Sequence, residues 1–191
     1  QSTNYLINEA FYKNVFPKAT QATQRLGDIV KVTKNASIVG VVNRNFSLLG
    51  DPSMQLLYPQ KDIYIDSTIV QNRGLTDTIR ALDRVQFVGK IRTNTGLIDT
   101  QFNGNISVIL YDKVQKVSTL GASGPAFIYQ DYNNILFKGT ATVTKGRFEI
   151  NMLLPKDINY QYGEGKLSLY AQNSAGTQDA AGFERPIIGG S

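Results

Sequence analysis

Few residues in this chain combine a reactive side chain with a distinctive setting. Asp51 lies between Gly50 and Pro52, and a carboxylate so placed could orient a base or help hold a metal. The neighbouring residues also give it a plainer task. Gly enters turn conformations closed to other residues, Asp hydrogen-bonds its own following backbone, and Pro ends strand pairing. Gly50, Asp51 and Pro52 are therefore expected to form a structural turn. Asp131-Tyr132-Asn133-Asn134 gathers oxygen ligands as a calcium loop does, but it lacks the Gly and distal Glu of an EF-hand. A strand-connecting turn accounts for it. Asp157, Glu164 and Asp179 would form a cluster only if the fold brought them together. With no Cys and no His, a thiol nucleophile, an imidazole base, a disulfide and the commonest zinc ligands are excluded within these residues. No catalytic, cofactor-binding or metal-binding residue is assigned.

Tyr58, Tyr111, Tyr129, Tyr132, Tyr160, Tyr162 and Tyr170 could supply a sugar-stacking platform, since an aromatic face packs on a sugar and the hydroxyl provides a polar handle. Strand packing is the plainer reading, and the absence of Trp weakens the carbohydrate reading. Net charge is +5, but the basic residues are scattered without a dense run or binding motif. Nucleic acid is therefore not expected as a partner. Three Asn-x-Ser triplets, at Asn35, Asn45 and Asn105, matter only in a eukaryotic secretory route. Asp66-Ser67-Thr68 and Asp77-Thr78-Ile79 fit a short O-glycosylation pattern that also arises by chance.

The elements that must position these residues change character part-way along the chain. Ser2 or Thr3 can cap a first helix, in which Leu6, Ile7, Ala10, Phe11 and Val15 recur at helical spacing until Pro17. A second helix is predicted over Ala22–Asn35, with Leu26, Ile29, Val30 and Thr33 on one face. Short strands are predicted at Phe46–Leu49 and Gln55–Tyr58, on either side of the Gly50-Asp51-Pro52 turn. Two helices and two short strands cannot bury both apolar stripes among themselves, so residues 1–58 are expected to present an apolar surface to a further partner.

From Asp62 on, strand signals recur at close spacing. They lie around Ile63–Val70, Val85–Ile91, Ile106–Tyr111, Val117–Leu120, Ile135–Val143, Phe148–Leu154, Gly165–Ala171 and Phe183–Ile188. Val117–Leu120 is expected to pair near Ile106–Tyr111. Turns are expected at Asn94-Thr95-Gly96, Asn103-Gly104-Asn105 and Thr144-Lys145-Gly146-Arg147, with a loop over Gly176–Gly182. The fold class that follows is mainly β: an immunoglobulin-like antiparallel sandwich over 60–191, preceded by a small α/β segment over 1–59. Hydrophobic content of 41% and charged content of 18% suit a folded chain, and no apolar run is long enough for a membrane helix. Gln1 is not an initiator and no charged-then-apolar leader follows it, so a piece of a longer protein is expected.

Phe46-x-Leu48-Leu49-Gly50-Asp51-Pro52, followed by a short apolar stretch and Tyr58-Pro59, resembles the end of the caspase-like domain of the gingipain family of cysteine peptidases. Within that family the likeness is to the cell-surface sortases of the type IX secretion system of Bacteroidetes. It continues in Asp77–Leu82, Val108–Lys113, Ile135–Gly139 and Leu154–Tyr160, while Leu26-Gly27-Asp28 resembles the triplet that opens a late helix packed on the family's central sheet. The resemblance implies that residues 1–59 end a peptidase domain whose catalytic His and Cys precede them. The β-sandwich behind it would support that domain and mediate interactions at the outer face of the outer membrane. Implied partners are the upstream peptidase domain, an outer-membrane secretion-system protein and cargo proteins, with no cofactor. A surface adhesin or carbohydrate-binding sandwich, and a secreted gingipain-type protease without a sorting role, are the competing readings. A His and a Cys upstream of Gln1 would favour a peptidase.

Overall fold

In the computed structural model, residues 3–16, 24–37, 43, 45–122 and 124–190 are described. They divide into two compact units, Gln1–Tyr58 and Pro59–Ser191.

The first unit pairs two helices, α1 (Thr3–Val15) and α2 (Leu26–Ser37). Ser2, Pro17 and Ala22, where a cap, a stop and a helix start are expected, lie outside the described residues. Ala10 and Val15 of α1 and Ile29 and Thr33 of α2 are buried, while Leu6, Phe11, Leu26 and Val30 remain half-buried. Large side chains also face solvent, with Tyr12, Phe16, Leu49 and Leu57 all more than half exposed. The short strands predicted at 46–49 and 55–58 do not form a ladder. Residues 46–49 have no regular secondary structure, and Gln55 makes an isolated antiparallel bridge to Arg25. The carbonyls here are engaged by the start of α2 instead of a neighbouring strand.

The second unit is a β-sandwich. Its main strands are β1 (Lys61–Val70), β4 (Arg84–Arg92), β5 (Gly104–Tyr111), β8 (Ile135–Val143), β9 (Arg147–Leu153), β11 (Lys166–Asn173) and β12 (Asp179–Glu184). They form one hydrogen-bonded path, β8-β5-β11-β12-β1-β4-β9, with the short β2 (Gly74–Leu75) pairing β1. β1 links the two layers, being antiparallel to β4 and parallel to β12. Alternation is clean where one face meets the core: Val85, Phe87 and Ile91 of β4, Phe148, Ile150 and Met152 of β9, and Leu167, Leu169 and Ala171 of β11 are buried in a single cluster. A small sheet, β10 (Gly163–Glu164), β13 (Ile187–Ile188) and β3 (Thr78–Ile79), and a ribbon, β6 (Gln115–Ser118) with β7 (Ile128–Asp131), complete the unit.

Three local expectations are corrected by this arrangement. The segment at Val117 does not join β5, whose edge is taken by β8; it pairs β7 in the separate ribbon. Asn103-Gly104 is not a hairpin turn, because Gly104 begins β5 and a Cβ there would lie 2.1 Å from the Gln172 carbonyl oxygen. The small residues of 179–182 are strand, not loop: a Cβ on Gly182 would lie 2.3 Å from the Ile63 carbonyl oxygen, so only small side chains admit β1 alongside. The turn at Lys145-Gly146 has positive φ at both residues, 50° and 71°, as a type I′ hairpin requires. The two strands it joins nevertheless stand at opposite ends of the hydrogen-bonded path.

Candidate functional site

In the first unit the residues with functional promise gather at the start of α2. The first N–H groups of a helix have no partner within it. Here Leu26 N–H donates to the Met54 carbonyl at 2.8 Å and Gly27 N–H to the Pro52 carbonyl at 2.9 Å. Asp51 shapes the turn that presents those carbonyls: its Oδ1 accepts from the Ser53 hydroxyl at 2.7 Å and the Ser53 N–H at 2.8 Å. The Ser53 hydroxyl, then the Ser53 N–H, hold the Asp51 carboxyl below its ordinary value. Gly27 meets the turn, with its Cβ position 2.9 Å from the Pro52 Cβ. Arg25 Nε donates to Asp28 across the same end of the helix at 2.9 Å. Tyr58 closes the unit by donating its hydroxyl to the Val15 carbonyl.

Beside this turn α1, α2 and residues 46–49 enclose an open cleft of about 730 Å³. Ile7, Phe11, Val30, Phe46 and Leu48 give it an apolar lining. The Thr33 hydroxyl is buried beside it without a hydrogen-bond partner among the described residues. A cleft of this kind offers packing surface, with Lys34 and Tyr5 among its polar lining.

In the second unit the residue that sequence reading passed over is Asp112, which is 1% exposed. Its Oδ1 accepts from the Lys113 ammonium and the Lys113 N–H, each at 2.8 Å. Its Oδ2 accepts from the Asn159 N–H at 3.1 Å and the Asn134 side chain at 3.3 Å. Lys113 Nζ also donates to the carbonyls of Asn159 at 2.7 Å and Ile188 at 3.1 Å. Burial pushes the Asp112 carboxyl up, but the Lys113 ammonium and the two N–H donors outweigh it and hold the carboxyl below its ordinary value. Three segments far apart in sequence, around 112, 134 and 159, are thus tied at one buried charge. A second buried pair joins Lys61 at the start of β1 to Asp99; that hydrogen bond, opposed by burial, keeps the Asp99 carboxyl low.

The remaining sequence candidates stay apart. Asp131 Oδ1 accepts from the following Tyr132 N–H at 2.8 Å, and Asp157, Glu164 and Asp179 do not converge. Among the described residues no group of three or more His, Cys, Asp or Glu side chains is placed to hold a metal ion. Among the described residues no helix is long and apolar enough to cross a membrane. Of the tyrosines, Tyr111 and Tyr132 approach each other with ring centres 6.2 Å apart. Tyr170 instead joins Tyr64 and Phe183 around a shared groove.

Comparison with known proteins bears on the first unit most directly: residues 1–57 match the family model of peptidase family C25, the gingipain family. That likeness covers less than a third of the chain. The fold of the chain is also similar to that of part of a solved structure, dimeric latent PorU from Porphyromonas gingivalis. The TM-score is 0.61 at 23% identity, covering 92% of this chain and 17% of that one. The chain therefore spans only a small part of the length of PorU. A sporulation control protein, Spo0M from Bacillus subtilis, is a slighter match at TM-score 0.41 and 14% identity, covering 70% of this chain and 51% of that one. No curated protein matches the sequence.

Proposed function

We propose that this chain is a non-catalytic region of a gingipain-like cell-surface sortase. In that role residues 1–59 complete a caspase-like peptidase domain, and the β-sandwich over 60–191 supports it and carries interactions. The parent would cleave C-terminal sorting signals from type IX secretion cargo at the outer face of the outer membrane. The observation that carries the reading is the gingipain-family match of residues 1–57 coupled to a PorU-like fold across nearly the whole chain. The apolar cleft beside α1 and α2 supports it, because such a lining is stabilising only when covered. The Gly50-Asp51-Pro52 turn serves this role structurally: it fixes the start of α2, and with it one wall of the cleft. Chemistry would come from a Cys thiolate and a His in the preceding region, forming an acyl-enzyme that is passed to water or an amine.

The test uses the chain alone and a longer polypeptide that includes the region before Gln1. The chain alone should not cleave a sorting-domain substrate, whereas the longer polypeptide should cleave it and be labelled at a Cys. Amide exchange in α1 and α2 should slow when the preceding region is present. Unchanged exchange, or a longer polypeptide with neither His nor Cys, overturns the reading.

A further inference from the structure

The outward face of β1, β11 and β12 carries a groove of about 630 Å³ with aromatic walls. In β11 the inward residues Leu167, Leu169 and Ala171 are buried, so Ser168 and Tyr170 face outward. Register places Ser168 opposite Phe183 and Tyr170 opposite Ala181. On the other side Asp62 lies beside Ala181, and Tyr64 follows two residues on along the same face. The floor is therefore small, built on Ser168, Ala181 and Gly182. The walls are Tyr64, Tyr170 and Phe183, exposed by 40%, 45% and 59%.

Exposed aromatic residues on a sheet are ordinarily explained by cross-strand stacking. That explanation fails here, because among the described residues none of these three rings contacts another ring. Each is held by a polar partner instead. The Arg92 guanidinium lies 3.9 Å from the Tyr64 ring centre, the Tyr170 hydroxyl donates to Asp179 at 3.3 Å, and Arg185 lies 5.7 Å from the Phe183 ring centre. The rings thus stand apart, with the groove between them.

We infer that this groove binds a neutral oligosaccharide. The C–H faces of a pyranose ring pack on the electron-rich face of an aromatic ring. Hydroxyl groups need acceptors and donors close by, and the side chains of Asp62 and Ser168 have no hydrogen bond or ion pair among the described residues. Lys166 adds a donor at the rim. Asp62 and Glu184 are offset by Lys166 and Arg185, so a strongly charged ligand gains no steering. A groove of this volume lies within the ordinary range for small-ligand sites, about 300–1,000 Å³. The inference does not depend on the role proposed above, since it concerns the sandwich face alone.

The experiment presents the full chain to a printed array of neutral and acidic oligosaccharides and follows hits by calorimetry with the free sugar. Neutral oligosaccharides should bind. Tyr170→Ala and Phe183→Ala should each weaken binding by about tenfold, the loss of one aromatic contact. Tyr170→Phe should retain stacking and most of the affinity, and Tyr129→Ala, on β7, should leave binding unchanged. Circular dichroism of each variant separates lost binding from lost fold. No neutral hit, hits only among acidic sugars, or binding indifferent to both alanine variants overturns the inference.

Discussion

Gly27 and Pro52 meet backbone to backbone: the Gly27 N–H donates to the Pro52 carbonyl at 2.9 Å, and a Cβ on Gly27 would lie 3.0 Å from that same oxygen. The helix start and the turn therefore approach as closely as a missing side chain permits. In an isolated helix Gly27→Ala would stabilise by about 1 kcal/mol. Here crowding of about 1–3 kcal/mol should outweigh that gain. We expect a net loss, seen as lower urea resistance at 222 nm and faster proteolysis within 24–58. A variant more stable than the parent would refute the contact.

Like Asp99, Asp112 contributes to the acid response of the sandwich. Its folded carboxyl lies below the ordinary value, so its stabilising contribution is full above the unfolded carboxylate range, about pH 4. That contribution fades as pH falls through the lower folded value. Asp112→Asn leaves the Lys113 ammonium uncompensated and should cost about 3 kcal/mol at neutral pH. Denaturation midpoints of the second unit should also fall less steeply below pH 4 than in the parent, an expectation checked by urea titrations across that range.

Gly104→Ala should be among the most damaging single-methyl changes in the chain. The added carbon would lie 2.1 Å from the Gln172 carbonyl oxygen, and that oxygen belongs to the β5–β11 ladder and cannot swing aside. A loss of about 3 kcal/mol is expected, readable as a lower melting temperature with the β spectrum retained below it.

Leu82 offers a change in the opposite direction. It holds φ at 63° while 60% exposed, in the turn where Asp83 N–H donates to the Arg80 carbonyl. A Leu in this left-handed region is strained by about 1–2 kcal/mol, and Asn tolerates it better. Leu82→Asn should therefore raise stability by about 1 kcal/mol. A decrease would show that the exposed Leu packs on something.

The sequence made legible those features that depend on near neighbours. Alternation in Arg84–Arg92 and Arg147–Leu153 foretold half-buried strands, because a period of two needs no knowledge of the partner. The Lys145-Gly146 turn was legible for the same reason. Pairing between distant segments was not. Ala180-Ala181-Gly182 reads as loop because small residues usually mark one; its strand character comes from antiparallel pairing with β11, and its small size from the close approach of β1, more than a hundred residues earlier. The groove was half-legible: Tyr170 stood among the sugar-platform candidates, whereas Phe183 joins it through the antiparallel pairing with β11 and Tyr64 through the parallel approach of β1. The ties around Asp112 were invisible, since their partners come from loops without periodicity.

The I′ turn at Lys145-Gly146 has a kinetic consequence. It covalently joins the two ends of a seven-strand path, some of whose pairings reach far along the chain; Lys61 of β1, for example, pairs with Ala180 of β12. Closing a short loop is entropically cheap and fast, whereas bringing distant strands together is slow. The turn thus acts as a clasp formed early, holding the rims of the two layers together while β1 finds its place between β12 and β4. A circular permutant opened between Lys145 and Gly146 retains every ladder but must assemble both rims independently. It should fold more slowly while unfolding at nearly the parent's rate.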